Sequence, residues 1–339
     1  MRDAQYSKGK KILFSAMAAL LTLVVALGAG EILTRLFWKE RPNLASDERT
    51  LSYRYDQELG WFPVKNSSLQ FKGSRVISIQ HNEDGFRDRA HGPKGKKRIA
   101  FLGDSYVWGY DAEVEERFTE KLQARLPEWE VLNLGVSGYG TDQEFILLQK
   151  VFDRYQPDIL VLVFSDNDVE ENTMNTAHKG YYKPYFEEVD HQLAEQGVPV
   201  PKSIRYYEAE YPLLFKSQLA QMLTGSYLAR RTPKHVSAAN PTLKIIWQMK
   251  RYVESRGTRF IVAYVDDLQG DKKRAFCEAC KIDYLFLMDS SLMNWEFLYP
   301  TQGNHWRPKG HDHVCSKLYE FLTANHFVQT GMTHTNSPN

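Results

Sequence analysis

Three short apolar runs constrain this chain more than any other feature. They are Ile99-Ala100-Phe101-Leu102, Val131-Leu132-Asn133-Leu134 and Ile159-Leu160-Val161-Leu162-Val163-Phe164. Runs of this length without alternation read as strands buried on both faces. Each stops in small or polar residues: Gly103-Asp104-Ser105, Gly135-Val136-Ser137-Gly138 and Ser165-Asp166-Asn167-Asp168. Between the runs, apolar residues recur at helical spacing. Phe118, Leu122 and Leu126 predict a helix over 114–126. Phe145, Leu148, Val151 and Phe152 predict another, with Thr141 as its cap and Pro157 as its stop. Leu243, Ile246, Met249 and Val253 mark a later helix, and 260–265 and 284–287 read as two more strands. Pro308 suits the first turn of a last helix that buries Val314, Cys315, Leu318 and Leu322. Strands alternating with helices require a parallel sheet covered on both faces. The turns after the strands then share one edge, where open α/β sheets carry their chemistry.

Ser105 ends the first run and faces a helix start. The free N–H groups and partial positive charge there favour an oxyanion. Taken alone, the triplet reads equally well as a plain junction capped by Asp104 or Ser105. The later turns add Gly138 and Asn167, and Asn304-His305-Trp306-Arg307-Pro308-Lys309-Gly310-His311 places His305 just before the last helix. Ser105, Gly138, Asn167 and His305, in that order, resemble the four blocks of the SGNH subgroup of the GDSL hydrolases. The resemblance runs from about Arg98 to Leu322, with an insertion in the middle.

That resemblance implies a three-layer α/β/α sandwich around a mostly parallel, flavodoxin-like sheet. It implies a serine esterase without metal or cofactor. Ser105 is then the nucleophile, because a hydroxyl becomes reactive once a neighbouring base takes its proton. His305 is that base. The oxyanion hole is the N–H of Ser105, the N–H of Gly138 and the Asn167 side chain. His311 and His313 fall within the helical pattern and read as structural; Asp104 and Asp168 read as pins of their turns. The chain departs from the family at the acid that orients the histidine. The positions two and three before His305 are Gly303 and Gln302. Either a Ser–His dyad is oriented by an amide or a carbonyl, or a distant carboxylate such as Asp289 serves.

The amino-terminal end follows other rules. Ile12 to Gly30 is a run of 19 residues without a charge. As a helix it spans roughly 28 Å, close to a bilayer core. Lys8, Lys10 and Lys11 precede it, which by the positive-inside rule puts the amino terminus in the cytoplasm. We read residues 1–11 as a cytoplasmic tail and 12–38 as a single-pass anchor of the inner membrane, with the catalytic domain on the periplasmic side. A cleaved signal peptide ending near Gly28 or Gly30 is the alternative. Residues 39–97 read as a β-rich approach segment, 98–325 as the hydrolase domain and 326–339 as a flexible tail. Within the approach, Gly85 is expected to turn the chain, Phe86 to pack and Arg87 to pair with an acid. Leu59-Gly60-Trp61 and Asn82 to Arg87 resemble segments of membrane-anchored bacterial members of the family.

The stretch 168–240 breaks the strand–helix rhythm and reads as an inserted cap, rich in Tyr and Pro. Its His178, His191 and His235 lack ligand spacing. Cys277 and Cys280 fit either a local disulfide or two reduced thiols. With 43 basic and 42 acidic residues the chain carries no field for nucleic acid. The expected function is an exported esterase acting on a small acyl ester or acylated glycan. An O-acyltransferase of the same fold, or a catalytically weakened binding domain, is the alternative.

Overall fold

The computed structural model describes residues 8–38, 52–177, 180–190, 192–299 and 303–329. Pro42, His178, His191, Gln302 and the tail beyond 329 lie outside the described residues. In chain order, α1 (Lys8–Phe37) is followed by two hairpins, β1 (Tyr53–Asp56) with β2 (Gly60–Pro63) and β3 (Ser68–Lys72) with β4 (Val76–Gln80). Then come β5 (Lys97–Gly103), α2 (Ser105–Trp108), α3 (Phe118–Arg125), β6 (Trp129–Asn133), α4 (Thr141–Tyr155), β7 (Ile159–Phe164) and α5 (Asn167–Glu171). A third hairpin, β8 (Tyr185–Val189) with β9 (Gln192–Gln196), precedes α6 (Ile204–Glu210) and α7 (Gln218–Arg231). The chain continues with α8 (Thr242–Glu254), β10 (Arg259–Asp266), α9 (Gly270–Cys280), β11 (Asp283–Met288) and α10 (Pro308–Ala324).

The chain divides into two compact units, residues 1–45 with 203–233 and residues 46–202 with 234–339. The second holds the sheet, in the order β11-β10-β7-β5-β6. All its neighbours are parallel, with Ile99 beside both Val131 and Ile159, and Ala263 beside both Val163 and Leu285. In chain order the strands lie 2-1-3-4-5, so the order reverses between β5 and β7, the place where open sheets bind ligands. Every residue of β7 is buried. Ile99, Phe101, Val161, Val163 and Ile261 pack on Phe118 and Leu122 of α3 and on Val314, Cys315 and Leu318 of α10. Helices α4 and α8 pack on each other and on β5 and β10 respectively. Each buried apolar side chain of this core contributes about 1.5–3 kcal/mol relative to exposure. The result is the three-layer sandwich.

Local differences from the sequence reading have visible causes. The helix expected over 114–126 is a 3-10 turn (Val114–Glu116) and then α3, because Arg117 is extended at φ −69° and ψ 146°. Its buried guanidinium donates to the Arg87 carbonyl and to Glu120, which fixes the break. Gly140, not Thr141, caps α4; the Thr141 hydroxyl instead donates to Asp168 at 2.7 Å. Among the described residues Arg87 forms no ion pair with an acid. Its buried guanidinium donates to the carbonyls of Ser78, Gly109 and Ala112 at 2.8, 2.6 and 2.7 Å. Cys277 and Cys280 are unbridged, and Cys315 lies in the core. His235 pairs with Glu187 at 2.6 Å.

In the first unit, the Glu31 carboxylate near the end of α1 accepts from the Ser217 hydroxyl at 2.7 Å. It also accepts from the N–H groups of Gln218 and Leu219, at 3.1 and 3.0 Å. It therefore caps α7 from outside its own helix, where an anion meets unsatisfied donors and the positive end of the helix dipole.

Candidate active site

Strand β5 delivers Ser105 through a turn that only glycine allows. A Cβ on Gly103 would stand 2.5 Å from Val107 Cγ2 and 3.0 Å from the Val163 carbonyl. Asp104 then caps the single turn α2, its carboxylate accepting from Tyr106 N at 2.9 Å. Gly109, at φ 85°, ends that turn. Ser105 is left half-buried at the carboxyl edge of the sheet.

His305 arrives from the other end of the chain. Gly303 and Asn304 take left-handed backbone, φ 94° and 57°, and swing the chain towards Ser105. The His305 carbonyl accepts from Tyr299 N at 2.8 Å. The ring is buried, and its Nε2 lies 2.7 Å from Ser105 Oγ. In the tautomer that acts as base, the hydroxyl donates to Nε2.

Two tyrosines hold this arrangement. The Tyr106 hydroxyl donates to the carbonyls of Gly303 and Asn304, at 3.2 and 3.4 Å. The Tyr110 ring stacks on the imidazole, with centroids 4.3 Å apart and planes 20° apart. Behind Tyr110 stand Phe71 and Trp108, with Ile77 and Ile79 in the same cluster. Two of the carbonyls that Arg87 grips, those of Gly109 and Ala112, bracket Tyr110 in sequence and the third, that of Ser78, lies in β4, so the β3–β4 hairpin and Arg87 brace the loop beneath the histidine. The sequence reading assigned neither Tyr106 nor Tyr110 to the site. Their role depends on a contact about 200 residues away, which no local pattern encodes.

Asn167 opens α5 and is exposed. Its side-chain carbonyl accepts from the Ser165 hydroxyl. Its amide donates to Asp168 at 3.4 Å, and the Asp104 carboxylate is a further partner. Gly138 is half-buried at φ 80°. Its loop is fastened to β5 by Val136 N on the Gly103 carbonyl at 3.0 Å. Gly135 makes that fit possible, because a Cβ there would meet Trp108 N at 2.4 Å. From the approach segment, buried Trp61 donates to the Ser137 carbonyl at 3.4 Å and its own carbonyl accepts from Tyr139 Oη at 2.6 Å.

A cluster of buried carboxyls underlies the turns that carry Ser105 and Asn167. Burial pushes Asp104 up to about 6. Burial, then repulsion from neighbouring carboxylates, pushes Asp168 and Glu144 well above the usual range. Glu144 has no hydrogen-bond partner for either oxygen among the described residues. Burial raises Asp142 as well, although the buried Lys183 ammonium pairs with it directly and pulls the other way.

The remaining candidates lie elsewhere. Asp289 is spent on Ser291, accepting from its N–H at 2.9 Å and from its hydroxyl, and it faces Lys317 and His313. His311 is fully buried, stacked on Phe118, and accepts from Phe118 N at 3.3 Å. Burial pushes it down to about 3, so it stays neutral.

A family model described as the GDSL-like Lipase/Acylhydrolase family matches residues 101–312. Solved structures resemble the chain distantly. The crystal structure of TesA is 12% identical, covers 67% of this chain and 99% of its own, and has a TM-score of 0.43. The psychrotrophic esterase EstA from Pseudoalteromonas sp. is 10% identical over 69% of this chain and 100% of its own, with a TM-score of 0.43. The lipase/acylhydrolase from Enterococcus faecalis is 14% identical over 68% and 96%, with a TM-score of 0.36. No curated protein matches the chain.

Proposed function

The chain belongs to the GDSL-like lipase/acylhydrolase family, and from that premise we propose that it is a serine ester hydrolase held at a membrane by α1. The observation that carries the reading is the 2.7 Å contact between Ser105 Oγ and His305 Nε2 at the carboxyl edge of the sheet. Ser105 Oγ attacks the acyl carbon while its proton passes to Nε2. The carbonyl oxygen becomes an oxyanion facing the N–H groups of Ser105 and Gly138 and the amide of Asn167. Collapse breaks the bond to the alcohol, which leaves with the proton from Nε2. Water then attacks the acyl-enzyme, giving its proton to His305, and the acid departs as the acyl–Oγ bond breaks and Nε2 returns that proton to Ser105 Oγ. Each oxyanion donor is worth about 2.7–4 kcal/mol in the transition state.

Helix α1 is apolar enough to span a bilayer and is exposed over residues 12–29. Lys8, Lys10 and Lys11 favour a cytoplasmic amino terminus, which puts the hydrolase outside the inner membrane. That address supports short acyl groups on an envelope glycan as the substrate. The test is turnover of short p-nitrophenyl esters by the full chain in detergent, beside Ser105→Ala. Acid release by wild type alone supports the reading. Acyl transfer to an added glycan with no acid released would make the protein an acyltransferase instead.

A further inference from the structure

The helix pair of the first unit has more apolar surface than its fold uses. Between Tyr211 and Arg231, Tyr211, Leu213, Leu214, Leu223 and Tyr227 are all more than half exposed, and Leu213 is 79% exposed. Leu223 and Tyr227, four residues apart, share a face of α7. Arg230 and Arg231 follow at its end. Interfacial helices combine these features: aliphatic and aromatic side chains on one face, and basic residues beside them.

The place of this segment is fixed by α1. The Glu31 carboxylate holds the first turn of α7 through three hydrogen bonds, and Arg35 donates to the Lys216 carbonyl at 3.1 Å. Leu219 lies directly against Gly30, where a Cβ would come within 2.9 Å of its Cδ2. Gly30 is the last residue of the uncharged run, so α7 begins at the level where α1 would leave the hydrocarbon. The residues below that level, 12–29, are exposed. The segment therefore does not descend along α1.

We propose that residues 211–231 form a second membrane element, lying on the surface of the bilayer that α1 crosses. Leu213, Leu214, Leu223 and Tyr227 enter the boundary between headgroups and acyl chains. Arg230 and Arg231 remain among the headgroup phosphates. The proposal rests on the anchor reading of α1. The cap fits it: at the water–lipid boundary the Glu31 carboxylate has its oxygens satisfied by helix donors rather than left facing the membrane.

The test uses the full-length chain in lipid nanodiscs, in a Cys280→Ser background, since Cys277 and Cys315 are buried. An environment-sensitive fluorophore is attached at Leu213→Cys, Leu223→Cys, Val24→Cys or, as the aqueous control, the exposed Val76→Cys. The fluorophore is read by quenching from lipids brominated at shallow or deep positions and by aqueous dithionite. The expected result is deep quenching at 24, shallow quenching at 213 and 223, and reduction at 213 and 223 slowed about tenfold or more relative to 76. No quenching at 24 would remove the anchor, and the proposal with it. Quenching at 24 with rapid reduction at 213 and 223 would keep the anchor and overturn the proposal alone. Slow reduction at 213 and 223 without lipid quenching would also overturn it, because a protein would then cover the face.

Discussion

Replacing Tyr110 by leucine should separate the orientation of His305 from its presence. The Tyr110 ring is 7% exposed and lies 4.3 Å from the imidazole, nearly parallel to it. A stacked pair is worth about 0.5–1.5 kcal/mol beyond its buried area, so losing it relaxes ring orientation by up to about tenfold in population. A displacement near 1 Å between reacting groups costs about 10²-fold in rate. Together these bracket a fall in kcat of about 10–100-fold for Tyr110→Leu, with KM nearly unchanged, since Tyr110 acts on the base rather than on the ester. Tyr110→Phe keeps the ring and should stay within a few-fold of wild type. The leucine leaves a cavity costing about 2–5 kcal/mol of stability, so both variants are assayed well below their melting temperatures, with circular dichroism as the control. The assay is p-nitrophenyl acetate turnover from pH 5 to 9. A folded Tyr110→Leu with wild-type kcat would refute the positioning role, as would a loss appearing only in KM.

Asn167→Ala should lower kcat by about 10²–10³-fold with the fold intact, the cost of one oxyanion donor; steady-state kinetics at saturating ester checks it. Asp289→Asn should leave kcat within about twofold, because its carboxylate serves Ser291; a large loss would make Asp289 the orienting acid. For Glu144 the sign follows from its raised folded pKa. The unfolded chain ionises this group near pH ~4.3, so the fold holds the extra proton above that value. The stability it contributes is full below about pH 4 and declines as pH rises towards the folded pKa. Asp104, held at about 6, has the same sign. Glu144→Gln should match wild type near pH 4 and exceed it at pH 8 in urea midpoints; equal midpoints at both pH values would contradict the burial argument.

The sheet was legible because its strands are buried on both faces. Residues 159–164 carry no polar residue, and the observed β7 has the same bounds. Helices with one apolar stripe, such as α8 and α10, were equally plain, since the 3.6-residue period survives without tertiary context. The break at Arg117 was not, because it is set by a guanidinium bonding to a carbonyl 30 residues earlier. Ser105 and His305 could be named from short motifs, yet their 2.7 Å contact closes a loop of 200 residues. The brace formed by Arg87, Phe71 and Tyr110 left no local signal, and among the described residues Arg87 meets carbonyls where an acid was expected. Its partners are carbonyls that only the folded turn gathers. The pairing of α7 with α1 was hidden likewise, since Glu31 and Ser217 lie 186 residues apart.

The central claim is that Ser105, activated by His305, carries the acyl group. Full-length protein treated with a fluorophosphonate probe, digested and read by mass spectrometry, tests it most directly. The account predicts one adduct, on Ser105, with labelling abolished in Ser105→Ala and slowed by about 10²-fold or more in His305→Ala. An adduct on any other residue, or no adduct on folded wild type, would contradict it.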